Sequence, residues 1–398
     1  MTASVLTGLD RLVGESFARL RGRKVGLLAH PASVDRDLRH AVYLMHAAGV
    51  SITALFGPEH GVTGDLQDME PAEEEETARD NLTGARLYSL YGTRFESLRP
   101  SRAMLADLDV LVVDLQDVGA RYYTFAATMG YAMEVAAELG LEVMVLDRPN
   151  PLGGREQDIE GPRLEDGFRS FVGAYQMPIR HGLTLGEYAR AVMEEKKLDL
   201  DLEVISMLGW QRSMDFEATG LPWVMPSPNM PTVDTAWVYP GQCLLEGTNL
   251  SEGRGTTRPF ELCGAPYLDG VAWALRAGPH VGPGVVLRPT YIRPMFQKHA
   301  GLRCGAVQLH VTDRWAVRSL RTTIALLEAA RALERELFAW RTDAYEFVSD
   351  RAAIDLLFGS DRPRRLLEEG AAAEEVARTF EADERAFAER RRPWLMYD

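Results

Sequence analysis

The sequence predicts an α/β protein: a doubly wound, mostly parallel sheet over residues 1–232, with a smaller C-terminal α+β domain over 233–398 closing a cleft against it. Three observations carry this expectation. Short apolar runs alternate with helical periodicity through the first half, the pattern of parallel strands joined by crossover helices. The run "DVLVVDLQDVG" at 109–119 is apolar almost throughout, as expected of a strand covered on both faces. After about Pro231 the rhythm changes, and 398 residues are enough for two domains.

Taken in order, "MTASVLTGLDRLVGESFARLRGRKVG" at the N-terminus reads as a short amphipathic helix. "KVGLLAHP" is a buried type of strand that Pro31 ends, and helical sequence follows through "DLRHAVYLMHAAG". "SITALFGPEHG" is a strand closing on a Gly-Pro turn, and "ARLYSLYG" is another strand. The 109–119 strand leads into a helix at 122–139, stopped by Gly140. "EVMVLDRPNPLGG" is a strand running into a Pro/Gly turn. "TLGEYARAVMEEKK" is a helix with Thr184 as N-cap and Glu187 at capping-box spacing. "LEVISML" is the last strand of the first part. Beyond it, "GVVLRPTYIRPMF" and "CGAVQLHVTD" are strands, "RSLRTTIALLEAARALERELFAW" is one amphipathic helix, and "FEADERAFAERRRPWLMYD" is a charged terminal helix.

Composition narrows the function. A hydrophobic fraction of 46% and a charged fraction of 26% are ordinary for a globular protein. The net charge of -14 excludes a general nucleic-acid binder, which needs a basic face for phosphates. The acidic run "EPAEEEE" at 70–76 is expected to be a solvated loop. The three cysteines, Cys243, Cys263 and Cys304, form no CxxC pair, so neither a zinc knuckle nor a disulfide framework is expected. No basic-then-apolar leader and no membrane-length apolar run occur, which points to a cytoplasmic chain with no membrane partner.

Chemistry is limited by what is missing. The turn after the first strand, "LLAHPASVD", has no G-x-G-x-x-G, and no phosphate-binding G-x-x-x-x-G-K-[ST] occurs. No nucleotide cofactor is therefore expected. H-E-x-x-H is absent, as is G-x-S-x-G; Glu59-His60 or Asp114 with Asp117 could ligate an ion, but without tight ligand spacing no metal site is expected. Carboxylate acid/base chemistry remains. Four strands end in polar, Gly/Pro-bearing segments, and open α/β sheets bind ligands beyond the carboxyl ends of their strands. Glu59, Asp114, Asp117 and Asp147 stand at those ends. Each has a structural alternative: Glu59 as a helix cap, Asp114 on loop amides, Asp117 and Asp147 orienting Arg121 and Arg148, and His60 and His181 as satisfied structural histidines.

The segment "LLEGTNLSEGRGTTRPFE" at 244–261 adds Glu246 and Glu252. Its glycines, threonines and glutamates have a linker's composition, and the two glutamates could simply be solvated. The preceding "PSPNMPTVDTAWVYPGQC" carries Trp237 and Tyr239, and aromatics are rare in disordered linkers. A loop this long inside a folded region is functional or disordered.

Together "FGPEHG", "DLQDVGARYYT", "DRPNPLGG", "HGLTLGE", "PSPNMP" and "LLEGTNLSEGRGTTRPFE" resemble the NamZ-type exo-β-N-acetylmuramidases, glycoside hydrolases of peptidoglycan recycling. The resemblance runs from about Lys24 to Pro266 and more loosely to the C-terminus. It implies a Rossmann-like domain plus a C-terminal domain, a site in the cleft between them, and exo-cleavage of β-1,4-linked N-acetylmuramic acid from the non-reducing end. Members of that family are often exported, whereas this chain shows no leader. The resemblance makes 244–261 an ordered wall of a sugar cleft. Asn249, Thr256 and Thr257 would hydrogen-bond hydroxyl and acetamido groups. Arg121, Arg148 and Arg254 would compete to grip the lactyl carboxylate. Tyr122, Tyr123 and Trp237 would either stack on sugar faces or pack into the core, and Asp147, Asn150, His181 and Asn229 would complete the substrate contacts. Glu59, beside His60, is the expected acid, kept protonated by a cleft wall with limited water. Asp114, Glu246 and Glu252 compete as its partner, with retaining, inverting and substrate-assisted courses all open. A non-catalytic muropeptide-binding protein on the same scaffold is the alternative, and a nucleotide-sugar transferase is disfavoured by the missing phosphate loop. The chain would act as a monomer or homodimer.

Overall fold

The computed structural model describes residues 5–67, 69–71 and 78–398. Residues 72–76 of the acidic run lie outside them. Nine strands lie among the described residues: β1 Lys24–Ala29, β2 Ser51–Gly57, β3 Arg86–Ser89, β4 Val110–Asp114, β5 Glu142–Leu146, β6 Leu202–Ile205, β7 Leu262–Ala265, β8 Val285–Ile292 and β9 Cys304–Val311. The first six form one sheet in the order β3-β2-β1-β4-β5-β6, with every neighbour parallel. This is the doubly wound order of Rossmann-like folds, whose topological switch lies between β1 and β4. The last three form an antiparallel sheet, β7-β9-β8, in the smaller C-terminal α+β part. The expected fold class is the one observed.

The two-residue period of a strand sorts the core. Val110 and Val112 of β4 face the side covered by Leu9 and Leu12 of the helix Gly8–Gly14 and by Val42 and Met45 of the helix Ala41–Ala47. Leu111 and Val113 face the opposite side, packed with the helix Phe125–Leu139 and continuous with the core of the C-terminal part. All five β4 residues are buried, as the unbroken apolar run required. The edge strands β3 and β6 are mostly half-buried.

Caps fall where the sequence placed them. Thr184 accepts from the Glu187 amide and Glu187 reaches back to the Thr184 amide, closing the capping box of the helix Leu185–Lys196. Gly140 ends the helix Phe125–Leu139 at φ 63°, a left-handed conformation that suits glycine.

Three expectations are corrected. The helix predicted over 318–340 spans only Ser319–Leu333. The remainder leaves the helix because Ala339 O accepts from the Asn249 amide (2.9 Å), the Ala339 amide donates to Asn249 Oδ1 (3.1 Å) and the Arg341 amide donates to Gly247 O (2.9 Å). The terminal helix is Glu381–Arg390, and the tail beyond it docks on the parallel sheet. The aromatic segment before 244 forms a helix, Val233–Gln242, capped by Thr232 despite an internal Pro240. Among the described residues no helix is long and apolar enough to cross a membrane.

Candidate active site

Beyond the β2 end, Pro58 O and the Gly61 amide close a turn at 2.9 Å. Glu59 and His60 sit in this turn, with His60 at φ 73°. The Glu59 side chain lines a cleft at this end of the sheet. Thr124, just before the helix Phe125–Leu139, donates its hydroxyl to Glu59 Oε2 at 2.7 Å. His60 Nδ1 lies 2.8 Å from Leu66 O, and its ring meets Phe125 edge-on at 6.4 Å.

Part of the lining comes from the segment at 244–261, which is ordered. A 3-10 turn, Cys243–Gly247, buries Glu246. Its Oε1 accepts from Arg254 Nη1 at 2.7 Å and its Oε2 from the Tyr345 hydroxyl at 2.6 Å. Arg254 Nη1 also reaches Glu252 Oε1 at 3.1 Å, and its guanidinium lies 4.9 Å over the Phe260 ring. The floor is a series of edge-to-face aromatics, Phe125, Tyr123, Tyr239 and Phe260, with centroid separations of 4.7, 5.7 and 4.8 Å. Tyr122 joins it against Tyr239 and donates to Pro240 O. Burial holds the phenols of Tyr122, Tyr123 and Tyr239 well above their ordinary range, so they stay neutral.

A third carboxylate, Glu346, also lines the cleft. Its Oε2 accepts from the Tyr91 hydroxyl at 3.2 Å. Glu346 and Phe347 both have positive φ, 46° and 67°, in a turn closed by two hydrogen bonds between Tyr345 and Val348. Bulky residues rarely take that conformation unless the surrounding structure imposes it.

Of the residues singled out in the sequence, Glu59, His60, Tyr122, Tyr123, Asn229, Glu246 and Arg254 share this cleft. Asn229 donates to Gln67 Oε1 at 3.1 Å. Glu252 lies behind the wall, where burial opposes its ionisation but Lys298 and Arg254 more than offset this and hold its carboxyl at about 2. The others are placed elsewhere, and all but Thr257 have a structural partner. Asp114 and Arg148 form a two-pronged buried ion pair at 2.6 and 2.8 Å. Asp147 accepts from Thr184, Gly186 and Tyr397. Arg121 donates to Met177 O and Leu357 O, and burial lowers its guanidinium to about 10. Asn150 bonds Leu183 O and the Leu152 amide within its turn.

His181 accepts from the Leu183 amide, and burial lowers its imidazole to about 3. Its Nε2 is 3.9 Å from Asp117, which burial pushes up to about 7. Asn249 is used by Tyr267, Ala339 and Leu337. Thr256 turns back onto Gly253 O, and Thr257 is exposed. Trp237 is buried against Trp315 and Arg180. Reasoning from sequence passed over Thr124, Ser227, Tyr345 and Glu346, all of which line the cleft. Ser227 lay within the quoted "PSPNMP"; the segment around Glu346 offers no periodic or motif signal. Among the described residues, no group of three or more histidine, cysteine, aspartate or glutamate side chains is placed to hold a metal ion.

The sequence model described as "Exo-beta-N-acetylmuramidase NamZ, N-terminal" matches residues 25–234, and its C-terminal counterpart matches residues 237–397. The chain belongs to the NamZ family. It is 42% identical over 394 residues to the peptidoglycan beta-N-acetylmuramidase NamZ of Bacillus subtilis (strain 168), covering 99% of this chain and 91% of that protein. Among solved structures, a DUF1343 family protein from Bacteroides fragilis NCTC 9343 superposes with a TM-score of 0.87 at 34% identity, covering 99% of each chain. A second protein of that family from the same organism gives 0.77 at 28% identity, covering 100% of this chain and 99% of that one. The cleft of this NamZ-family chain draws residues from both matched segments: Glu59 to Met230 from the first, Tyr239 to Glu346 from the second.

Proposed function

We propose that the protein is an exo-acting β-N-acetylmuramidase, releasing terminal non-reducing β-1,4-linked N-acetylmuramic acid from peptidoglycan fragments by carboxylate acid/base chemistry. The observation that carries the site assignment is that Glu59 and Glu246 both line one aromatic-floored cleft. Glycoside hydrolysis needs a carboxylic acid to protonate the leaving oxygen and a second carboxylate on the other side of the bond. Glu59, gripped by the neutral Thr124 hydroxyl, serves as the proton donor. Glu246, facing a guanidinium and a phenol, serves as the ionised partner. Arg254 is the one Arg or Lys among the described residues lining the cleft and supplies the cation for the lactyl carboxylate. Asn229, Ser227 and the tyrosine hydroxyls supply polar contacts to the sugar. A domain boundary near residue 232 and a cytoplasmic setting belong to the same proposal.

Family membership favours hydrolysis over binding alone. The deciding experiment incubates the purified protein with a disaccharide carrying N-acetylmuramic acid at its non-reducing end, followed by mass spectrometry. Release of free N-acetylmuramic acid is expected. Saturable binding with the disaccharide left intact would establish the non-catalytic alternative instead.

A further inference from the structure

The connection between β8 and β9 carries a lysine that no motif singled out. Gln297 and His299, on either side of Lys298, both have positive φ, 64° and 59°. The backbone of this turn is anchored to the cleft-wall segment: Met295 N donates to Gly255 O at 2.9 Å, and His299 Nε2 lies 2.7 Å from Asn249 O. Lys298 Nζ reaches Leu245 O, Leu250 O and Glu252 Oε2 at 2.9, 3.0 and 2.9 Å. An ammonium has three protons, and these acceptors account for all of them. Beyond Glu252 the charges alternate toward the cleft: Glu252, Arg254, Glu246 and then the Tyr345 hydroxyl. Lys298 and Glu252 lie behind the cleft lining; Arg254, Glu246 and Tyr345 are part of it.

We infer that Lys298 is a positioning residue for the cleft: by neutralising Glu252 it lets the single Arg254 nitrogen serve Glu246 and so keeps that carboxylate ionised. This rests on the assignment of Glu246 as the ionised partner. With both cations present, two buried carboxylates face two positive charges. Without Lys298, two carboxylates compete for one guanidinium, and one of them takes up a proton or draws Arg254 away from the cleft. Other titratable groups among the described residues also face the pair. Around Glu246 these are Cys243 and the phenols of Tyr122, Tyr239 and Tyr345. Around Glu252 it is the Cys263 thiol, which burial keeps protonated. Glu59 and Glu346 line the same cleft.

The test is the pH profile of kcat/KM on the muramic-acid disaccharide for three variants. Lys298→Gln retains a donor for the two carbonyls and removes the charge; its acid limb should move up by about one pH unit or more. Glu252→Gln leaves a surplus cation beside Glu246, so its acid limb should move down. The double variant restores the balance and should return the limb toward wild type. Loss of kcat in all three with no movement of the limb would reduce Lys298 to a structural clasp and overturn the inference. If Lys298→Gln does not fold, the downward shift of Glu252→Gln alone decides. Glu246→Gln is measured in parallel: near-wild-type turnover there would sink the assignment of Glu246, separately from the role of Lys298.

Discussion

At the scale of single residues, the cleft separates side chains that act from side chains that hold. Glu59→Gln retains the oxygen that accepts from Thr124 and removes the transferable proton. Turnover on the disaccharide should fall by roughly 100-fold or more with an unchanged melting temperature; near-wild-type turnover would remove Glu59 from the acid role. A second carboxyl far from the cleft gives a test of burial. Glu384 accepts from the Gly161 amide at 2.9 Å, and burial, aided by the neighbouring Glu160, pushes it up to about 7 from an ordinary 4.5. Between those two values the folded state binds the extra proton, so stability is full below about pH 4.5 and declines as pH rises through 7. Glu384→Gln should therefore be more stable than wild type at pH 8, by roughly 2–3 kcal/mol, with much less gain at pH 5. An equal gain at both pH values in urea titrations would refute it. Residue types at strand ends were legible in the sequence, but their partners were not. Asp114 and Arg148 are 34 residues apart, and composition cannot show that each satisfies the other rather than a ligand.

At the scale of elements, local signals worked where the chain's own neighbours satisfy it. The capping box at Thr184 and Glu187 formed as spaced, and Thr184 Oγ1 also donates to Asp147 at 2.7 Å. Thr184→Ala removes both bonds; a loss of about 1–2 kcal/mol, seen as a lower urea midpoint at unchanged slope, is expected. A change too small to measure would mean that tertiary packing alone holds this helix end. Local signals failed where distant partners compete for the backbone. The sequence at 318–340 is helical in period throughout, yet residues 339–341 pair with the segment at 247–249 instead. The helix Val233–Gln242 was hidden by Pro240, which normally argues against a helix interior. Packing holds it: Ser319 donates to Val238 O at 2.7 Å and accepts from the Gly241 amide at 2.6 Å. Gly241 is required there, since a Cβ would stand 2.0 Å from Ser319 O.

For the whole molecule, one apolar cluster runs from Leu28 in β1 to Trp394 near the C-terminus, so the two parts share a core. The tail completes the first part rather than the second. The Tyr397 hydroxyl donates to Asp147 Oδ2 at 2.6 Å and accepts from the Met207 amide at 2.9 Å. Met396 N donates to Glu187 at 2.8 Å, and Arg391 to Gly182 O and Gly154 O, each at 2.9 Å. Deleting residues 395–398 should lower the melting midpoint by several degrees in a single transition, since it leaves the buried Asp147 short of a donor. A separate low-temperature transition confined to the C-terminal part would show that the tail does not couple the two.

Local sequence was enough to read the alternation of strands and helices, the buried central strand, the helix caps and the turn that presents Glu59. Each depends on residues within a few positions of one another, where periodicity and capping chemistry act directly. Which polar side chains face the cleft was settled by long-range contacts. A buried charge must find a partner, and the chain supplied Arg148 for Asp114, Tyr397 for Asp147 and Leu357 O for Arg121, withdrawing them from the site. By the same physics it brought Glu246, Arg254, Tyr345 and Glu346 from far along the sequence into the lining of the cleft that Glu59 shares.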